Sequence, residues 1–258
     1  EMRTGWRNAW NPSSKRVVEF SAAGNTHFMH QAGLSFVCDV GEALIALSEG
    51  ATINDNWSDQ APAKAKHALQ QVYRSDEAWG PAAVIDTVRK TMARDGIATV
   101  DSGAHRILQS QMWKSYQPRT LLQSVGFGAM GCALPLAIGA KLAAPERQVL
   151  CFTGDAGLEM VLGELATLRD LRLAVPIVVF ADSSLALIEL KQRAMGFDNV
   201  GVDFDATDFA AVGRALGGNG LVVDNRDALS TALEQAFAAH SFTVIACPVA
   251  RRAYDGRI

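Results

Sequence analysis

The chain has 258 residues, 49% of them apolar and 20% charged, with a net charge of −3. That balance excludes a disordered chain, and the slight acidity argues against a bare basic surface for nucleic acid. No run of 18 apolar residues occurs, so no membrane span is predicted. No apolar leader follows Glu1, so no signal peptide is expected. The cysteines (Cys38, Cys132, Cys151 and Cys247) are far apart and form no Cys-x-x-Cys pair. This spacing argues against a zinc site or a disulfide framework, and suits buried thiols in a reducing, cytoplasmic setting.

In chain order, residues 17–21 and 35–39 are expected as strands and 41–48 as a helix. Residues 50–60 are polar and turn-rich, which suits a linker, and a helical pattern follows at 64–73. Two strands and a helix are too little for a core of their own, so this part reads as the tail of another domain. A helix at 82–94 and an Asp95-Gly96 turn then lead into a strand at 97–101. Helix 129–143, strand 148–152, helix 158–171, strand 175–180 and helix 185–192 come next. Helix 209–216, strand 221–223, helix 228–239 and strand 242–246 complete the pattern. Strand–helix alternation predicts an α/β fold, three-layer α/β/α with a mostly parallel sheet. Ligands bind such sheets at the carboxyl ends of the strands.

One strand ends in Gly154-Asp155-Ala156-Gly157 and opens a helix. By itself this is a generic turn with an acidic cap. A helix start also offers free N–H groups to an anion, and Asp155 aims at the same space. A carboxylate and a phosphate crowded together need a cation between them, and Mg²⁺ suits oxygen ligands of that kind. The next strand ends 27 residues later in Ala181-Asp182-Ser183-Ser184. Neighbouring parallel strands would set Asp155 and Asp182 side by side, with the Ser184 carbonyl as a third ligand. The simpler role for Asp182 is to cap the helix at 185–192.

This pairing, at this spacing, resembles the signature of thiamine diphosphate (ThDP) enzymes. Residues 124–140 (SVGFGAMGCALPLAIGA) are similar to the stretch before that motif in acetolactate-synthase-like members, and 159–167 (EMVLGELAT) to the helix after it. The resemblance covers residues 78–250, and more weakly 16–48. It implies a remnant of the family's central domain at 1–50, a linker at 51–77 and the diphosphate-binding (PP) domain at 78–258. It implies that Asp155, Asp182 and the Ser184 carbonyl hold Mg²⁺. Gly154 and the backbone N–H groups of Ala156 and Gly157 would meet the diphosphate, as would the loop Gly103-Ala104-His105. Met130 would force the cofactor's bent shape, and the Gly128 carbonyl would accept from its 4′-amino group. Leu185, Ala186 and Leu187 complete the implied cofactor site.

Two residues depart from the family pattern. Ala156 stands where Gly is usual and is tolerable only at negative φ and with its backbone not pressed against a phosphate, and Asp182 stands where Asn is commoner. The glutamate that activates the cofactor belongs to a pyrimidine-binding domain, which nothing in residues 1–75 resembles. No catalytic residue is therefore expected in this chain, which is read as an inactive piece of a longer enzyme. The implied activity is decarboxylation or carboligation of 2-keto acids, in a homo-oligomer (dimer or tetramer) whose pyrimidine-binding domain comes from the same or a partner subunit. Any FAD requirement stays open. The alternatives are the PP subunit of a split decarboxylase and a ThDP-like module without catalysis.

Overall fold

The computed structural model describes residues 16–25, 32–52 and 57–258. The chain divides into two units, Glu1–Pro62 and Ala63–Ile258. Within the stretch read as a central-domain remnant, residues 1–15 and 26–31 lie outside the described residues, as do 53–56 of the expected linker. In the first unit, strands β1 (Val18–Ser21) and β2 (Leu34–Val37) pair in parallel and lead into helix α1 (Val40–Ser48). The Asp39 carboxylate caps α1 by accepting from the N–H groups of Gly41 and Glu42 at 2.8 and 3.1 Å.

The second unit holds the sheet. After α2 (Ala61–Val72) and α3 (Pro81–Thr91) come β3 (Ile97–Val100), α4 (Ala104–Met112), β4 (Leu121–Gln123) and α5 (Ala133–Ala143). Next are β5 (Val149–Gly154), α6 (Asp155–Glu159), α7 (Glu164–Asp170), β6 (Pro176–Ala181) and α8 (Ala186–Ala194). The unit ends with α9 (Phe209–Ala215), β7 (Asn219–Val222), α10 (Arg226–Ala238) and β8 (Thr243–Pro248). Six parallel strands pair in the order β4-β3-β5-β6-β8-β7. The strand period of two sends Leu150 and Phe152 of β5 to the layer of α3, α4 and α10, and Val149 and Cys151 to that of α5, α7 and α9. Both faces are thus covered, which is why β5 and β6 read as continuous apolar runs.

The sequence expectation differs from the structure in four elements. β4 is an edge strand of three half-buried residues, too short to show a pattern. α4 occupies what was read as a loop at 103–105. The helix expected at 129–143 begins only at Ala133, because Gly128 and Gly131 take left-handed φ values of +64° and +82°. The helix expected at 158–171 is two helices, α6 starting at Asp155 itself and α7 at Glu164.

Candidate functional site

β5 and β6 are neighbours, so their ends bring Asp155 and Asp182 together at the carboxyl edge. Both side chains are buried, at 5% and 7% exposure. Asp155 Oδ1 accepts from the Ala156 N–H at 2.8 Å. Its Oδ2 accepts from the N–H groups of Asp182 and Ser183 at 3.0 and 2.7 Å. Asp155 therefore braces the loop after β6, where Ser183 sits at a left-handed φ of +53°. That loop is further held by Leu185 N–H to Val202 O at 2.7 Å and Phe204 N–H to Ser183 O at 3.3 Å. Asp182 Oδ1 accepts from the Ser184 N–H at 3.1 Å.

Burial raises the Asp155 carboxyl above its ordinary value, against the pull of its three N–H donors. Asp182 is pushed up to about 7, first by burial and then by the charge of Asp155. Two buried carboxylates facing one space are a site that favours a cation.

His105 lies at the start of α4, 4% exposed, with its ring stacked on Phe180 at 5.2 Å between centroids. Burial lowers its pKa to about 4, so the ring is neutral at physiological pH, and its Nε2 has no protein partner. The buried Ser184 hydroxyl also lacks one. A Cβ on Gly103 would lie 2.8 Å from the His105 ring, so only glycine lets the chain pass there.

Asp101, which sequence reasoning missed, closes β3 at the same edge. It is fully buried and accepts from the N–H groups of Gly131 and Cys132 at 2.7 and 3.1 Å and from the Thr153 hydroxyl at 3.2 Å. These bonds fix the turn that carries Met130. The available signal was the pattern already used for Asp155, an aspartate directly after a buried strand.

These groups surround a cleft of about 680 Å³. Gly103, Ala104, His105, Met130, Gly154, Asp155, Ala156, Gly157, Asp182, Ser184, Leu185, Ala186 and Leu187 all line it. Gly128 does not, and its carbonyl accepts the Ser102 hydroxyl instead. Ala156 is helical with negative φ, which meets the backbone part of the condition set for a side chain there. Sequence reasoning also missed Ser102, Phe180, Ile188 and Tyr254 in the lining. Tyr254 is 2% exposed and sits in a C-terminal turn tied down by Arg252 to Glu189 at 3.0 Å, Arg193 to Asp255 at 2.6 Å and Arg257 to Glu77 at 2.6 Å. Among the described residues no group of three or more His, Cys, Asp or Glu could hold a metal ion. A cation here would rest on the two carboxylates and backbone oxygen.

The donor set fits a diphosphate and its counter-ion. His105 Nε2 and the Ser184 hydroxyl lack partners, glycines open the backbone, and paired carboxylates stand beside them.

Residues 101–247 match the family model for the C-terminal TPP (thiamine pyrophosphate, another name for ThDP) binding domain of thiamine pyrophosphate enzymes. The chain is similar to acetolactate synthase of Bacillus subtilis, 32% identical over 186 residues, which cover 71% of this chain and 32% of that protein. It is also similar to the acetolactate synthase isozyme 1 large subunit of Escherichia coli, 39% identical over 109 residues, or 42% of this chain and 19% of that one. The solved benzoylformate decarboxylase from Polynucleobacter necessarius superposes with a TM-score of 0.60 at 23% identity, over 66% of this chain and 33% of that chain, a likeness of fold. Its matches to relatives such as the Bacillus subtilis enzyme span about a third of their length. The match covers more than half of the chain and runs from Asp101, just past β3, through β4, β5 and β6 and the loops at the carboxyl edge, so the chain belongs to the acetolactate-synthase-like thiamine diphosphate enzymes and carries their C-terminal cofactor-binding domain.

Proposed function

We propose that residues 78–258 bind ThDP with Mg²⁺ and serve an enzyme that acts on 2-keto acids by decarboxylation, carboligation or both. The observation that carries this reading is the cleft at the carboxyl edge, which gathers the two carboxylates, His105, Met130 and the Gly154–Gly157 turn around one space. Asp155 and Asp182 would hold Mg²⁺ with the Ser184 carbonyl. Ala156, Gly157 and His105 would face the diphosphate. When bound, ThDP supplies a carbon nucleophile for the substrate carbonyl and a sink for the electrons released with CO₂. The protein's part is positioning. Asp155 fixes the loop after β6, Asp101 fixes the turn bearing Met130, and the neutral His105 adds no charge against the metal.

The group that activates the cofactor would come from a pyrimidine-binding domain in the same or a partner subunit of an oligomer. The loop between β4 and α5, which leads to Met130, suits such a partner, since it exposes Val125 and Phe127 to solvent at 78% and 103%.

The test is calorimetric titration of ThDP into the chain with and without Mg²⁺. Binding is expected only with the metal, and Asp155→Ala should abolish it, because a phosphate would then face Asp182 without its cation. Unchanged affinity in that variant would remove Asp155 from the metal site.

A further inference from the structure

A second groove, of about 1510 Å³, lies at the opposite edge of the sheet. Its walls include Arg89 of α3, Arg94 in the turn leading into β3, and Trp113, Lys114 and Tyr116 after α4. Segments leading into parallel strands lie at the amino edge, whereas the cofactor cleft is built from segments leaving strands. α4 runs between the two, starting beside His105 and ending at Trp113.

The groove's charge is one-sided. Its carboxylate, Asp86, is already engaged by Lys90 at 2.7 Å and Arg226 at 2.8 Å. Among the described residues Lys66, Arg89, Arg94 and Lys114 have no carboxylate partner, though all line the groove. Arg94 lies 3.7 Å from the centre of the Tyr116 ring, and Arg89 lies 5.2 Å from the same ring and 4.7 Å from that of Trp113. Two guanidinium groups are thus gathered about one ring with no counter-ion.

The second observation concerns buried donors. Arg89 is 8% exposed, and its Nη2 donates to the carbonyls of Met92 and Ala93 at 2.7 and 2.5 Å. Its Nε and Nη1 have no acceptor, and neither has the indole N–H of Trp113, which is 9% exposed. Stacking on the rings steadies the charge but brings it no counter-ion. A ligand with several charged oxygens would supply that counter-charge, meeting the exposed Arg94 and Lys114 directly while the buried Arg89 adds its field, and the arginine fork of Arg94 matches phosphate.

We propose that this amino-edge groove is a second anion site, separate from the cofactor cleft, that takes a phosphorylated small molecule with its phosphate between Arg89, Arg94 and Lys114. The phosphate belongs either to a nucleotide or to a free polyphosphate, and the experiment distinguishes them.

The experiment is calorimetric titration of pyrophosphate and of ADP into the chain in EDTA, which withholds the divalent cation proposed for the cofactor cleft. Both probes should bind. Affinity should fall about tenfold or more in the double variant Arg94→Ala/Lys114→Ala, whose side chains lie on the surface and can be removed without touching the core. It should stay unchanged in Asp155→Ala. ADP binding at least about tenfold tighter than pyrophosphate would assign the site to a nucleotide, and equal binding to the phosphate group alone. No saturable binding of either probe would overturn the proposal. So would binding that Asp155→Ala weakens and the double variant leaves intact. The latter result would move the anion to the cofactor cleft, whereas failure of the Mg²⁺-dependent ThDP titration would leave this groove untouched.

Discussion

Replacing Asp101 with alanine tests the inference that one buried carboxylate supports the cofactor turn. The substitution removes four hydrogen bonds, from Gly131 N–H at 2.7 Å, Cys132 N–H at 3.1 Å, the Thr153 hydroxyl at 3.2 Å and, more weakly, the Cys132 thiol at 3.5 Å. A hydrogen bond to an ionised group is worth about 1.5–3 kcal/mol net. Gly131 and Thr153 are buried and cannot turn to water, whereas Cys132 is half-buried and recovers part of its loss. The expected cost is about 4 kcal/mol in urea unfolding with an unchanged m-value. Asp101→Asn keeps one acceptor oxygen but turns an NH₂ toward one of the donors, so it should cost about half as much. Hydrogen exchange at the Gly131 and Cys132 amides should speed up in both variants before global unfolding. A loss below about 1 kcal/mol in Asp101→Ala, with those amides still protected, would refute the reasoning.

Three further outcomes follow from the same site. Gly157→Ala should destabilise by about 1–3 kcal/mol, because its Cβ would lie 2.1 Å from Asp101 Oδ2; urea melts should show the cost largely gone in an Asp101→Ala background. Met130 is half-buried and belongs to neither core cluster, so Met130→Ala should leave the melting temperature nearly unchanged while slowing C2–H exchange of ThDP in the complete enzyme, with Met130→Leu tolerated. Asp182 titrates near 7 in the folded chain and near 3.9 unfolded, so without metal its buried form is stable below about pH 4 and loses stability as pH rises toward 7. Asp182→Asn should therefore gain on the parent chain across that window by at most about 4 kcal/mol and then run level, and a difference independent of pH would exclude the shift. Comparing the two chains cancels His105, whose depressed pKa acts in the opposite sense below about 6.5.

The parts of this fold that the sequence discloses are those whose causes are local. β5 and β6 are buried on both faces, so burial wrote an uninterrupted apolar run into each. One helical crossover links them, so a fixed spacing brings Asp155 beside Asp182. β4 satisfies its pairing through backbone bonds to β3 alone and leaves no side-chain record. The late start of α5 depends on a carboxylate 30 residues upstream, since Asp101 takes the N–H groups that a continuing helix would have used. The pattern of apolar residues at 129–143 cannot register that competition.

Tyr254 is the extreme case. It lies past the last strand, in a segment with three arginines and one aspartate among ten residues, where composition alone predicts a solvated tail. It is buried because Glu189, itself 6% exposed on α8, pairs with Arg252, and because Glu77 ahead of α3 pairs with Arg257. A surface ion pair contributes little, but these pairs include buried or half-buried carboxylates and act on one short turn. Together they hold an aromatic ring against the cleft that Asp155 and Asp182 line. The charges that make the tail look like surface are the ones that fasten it to the site.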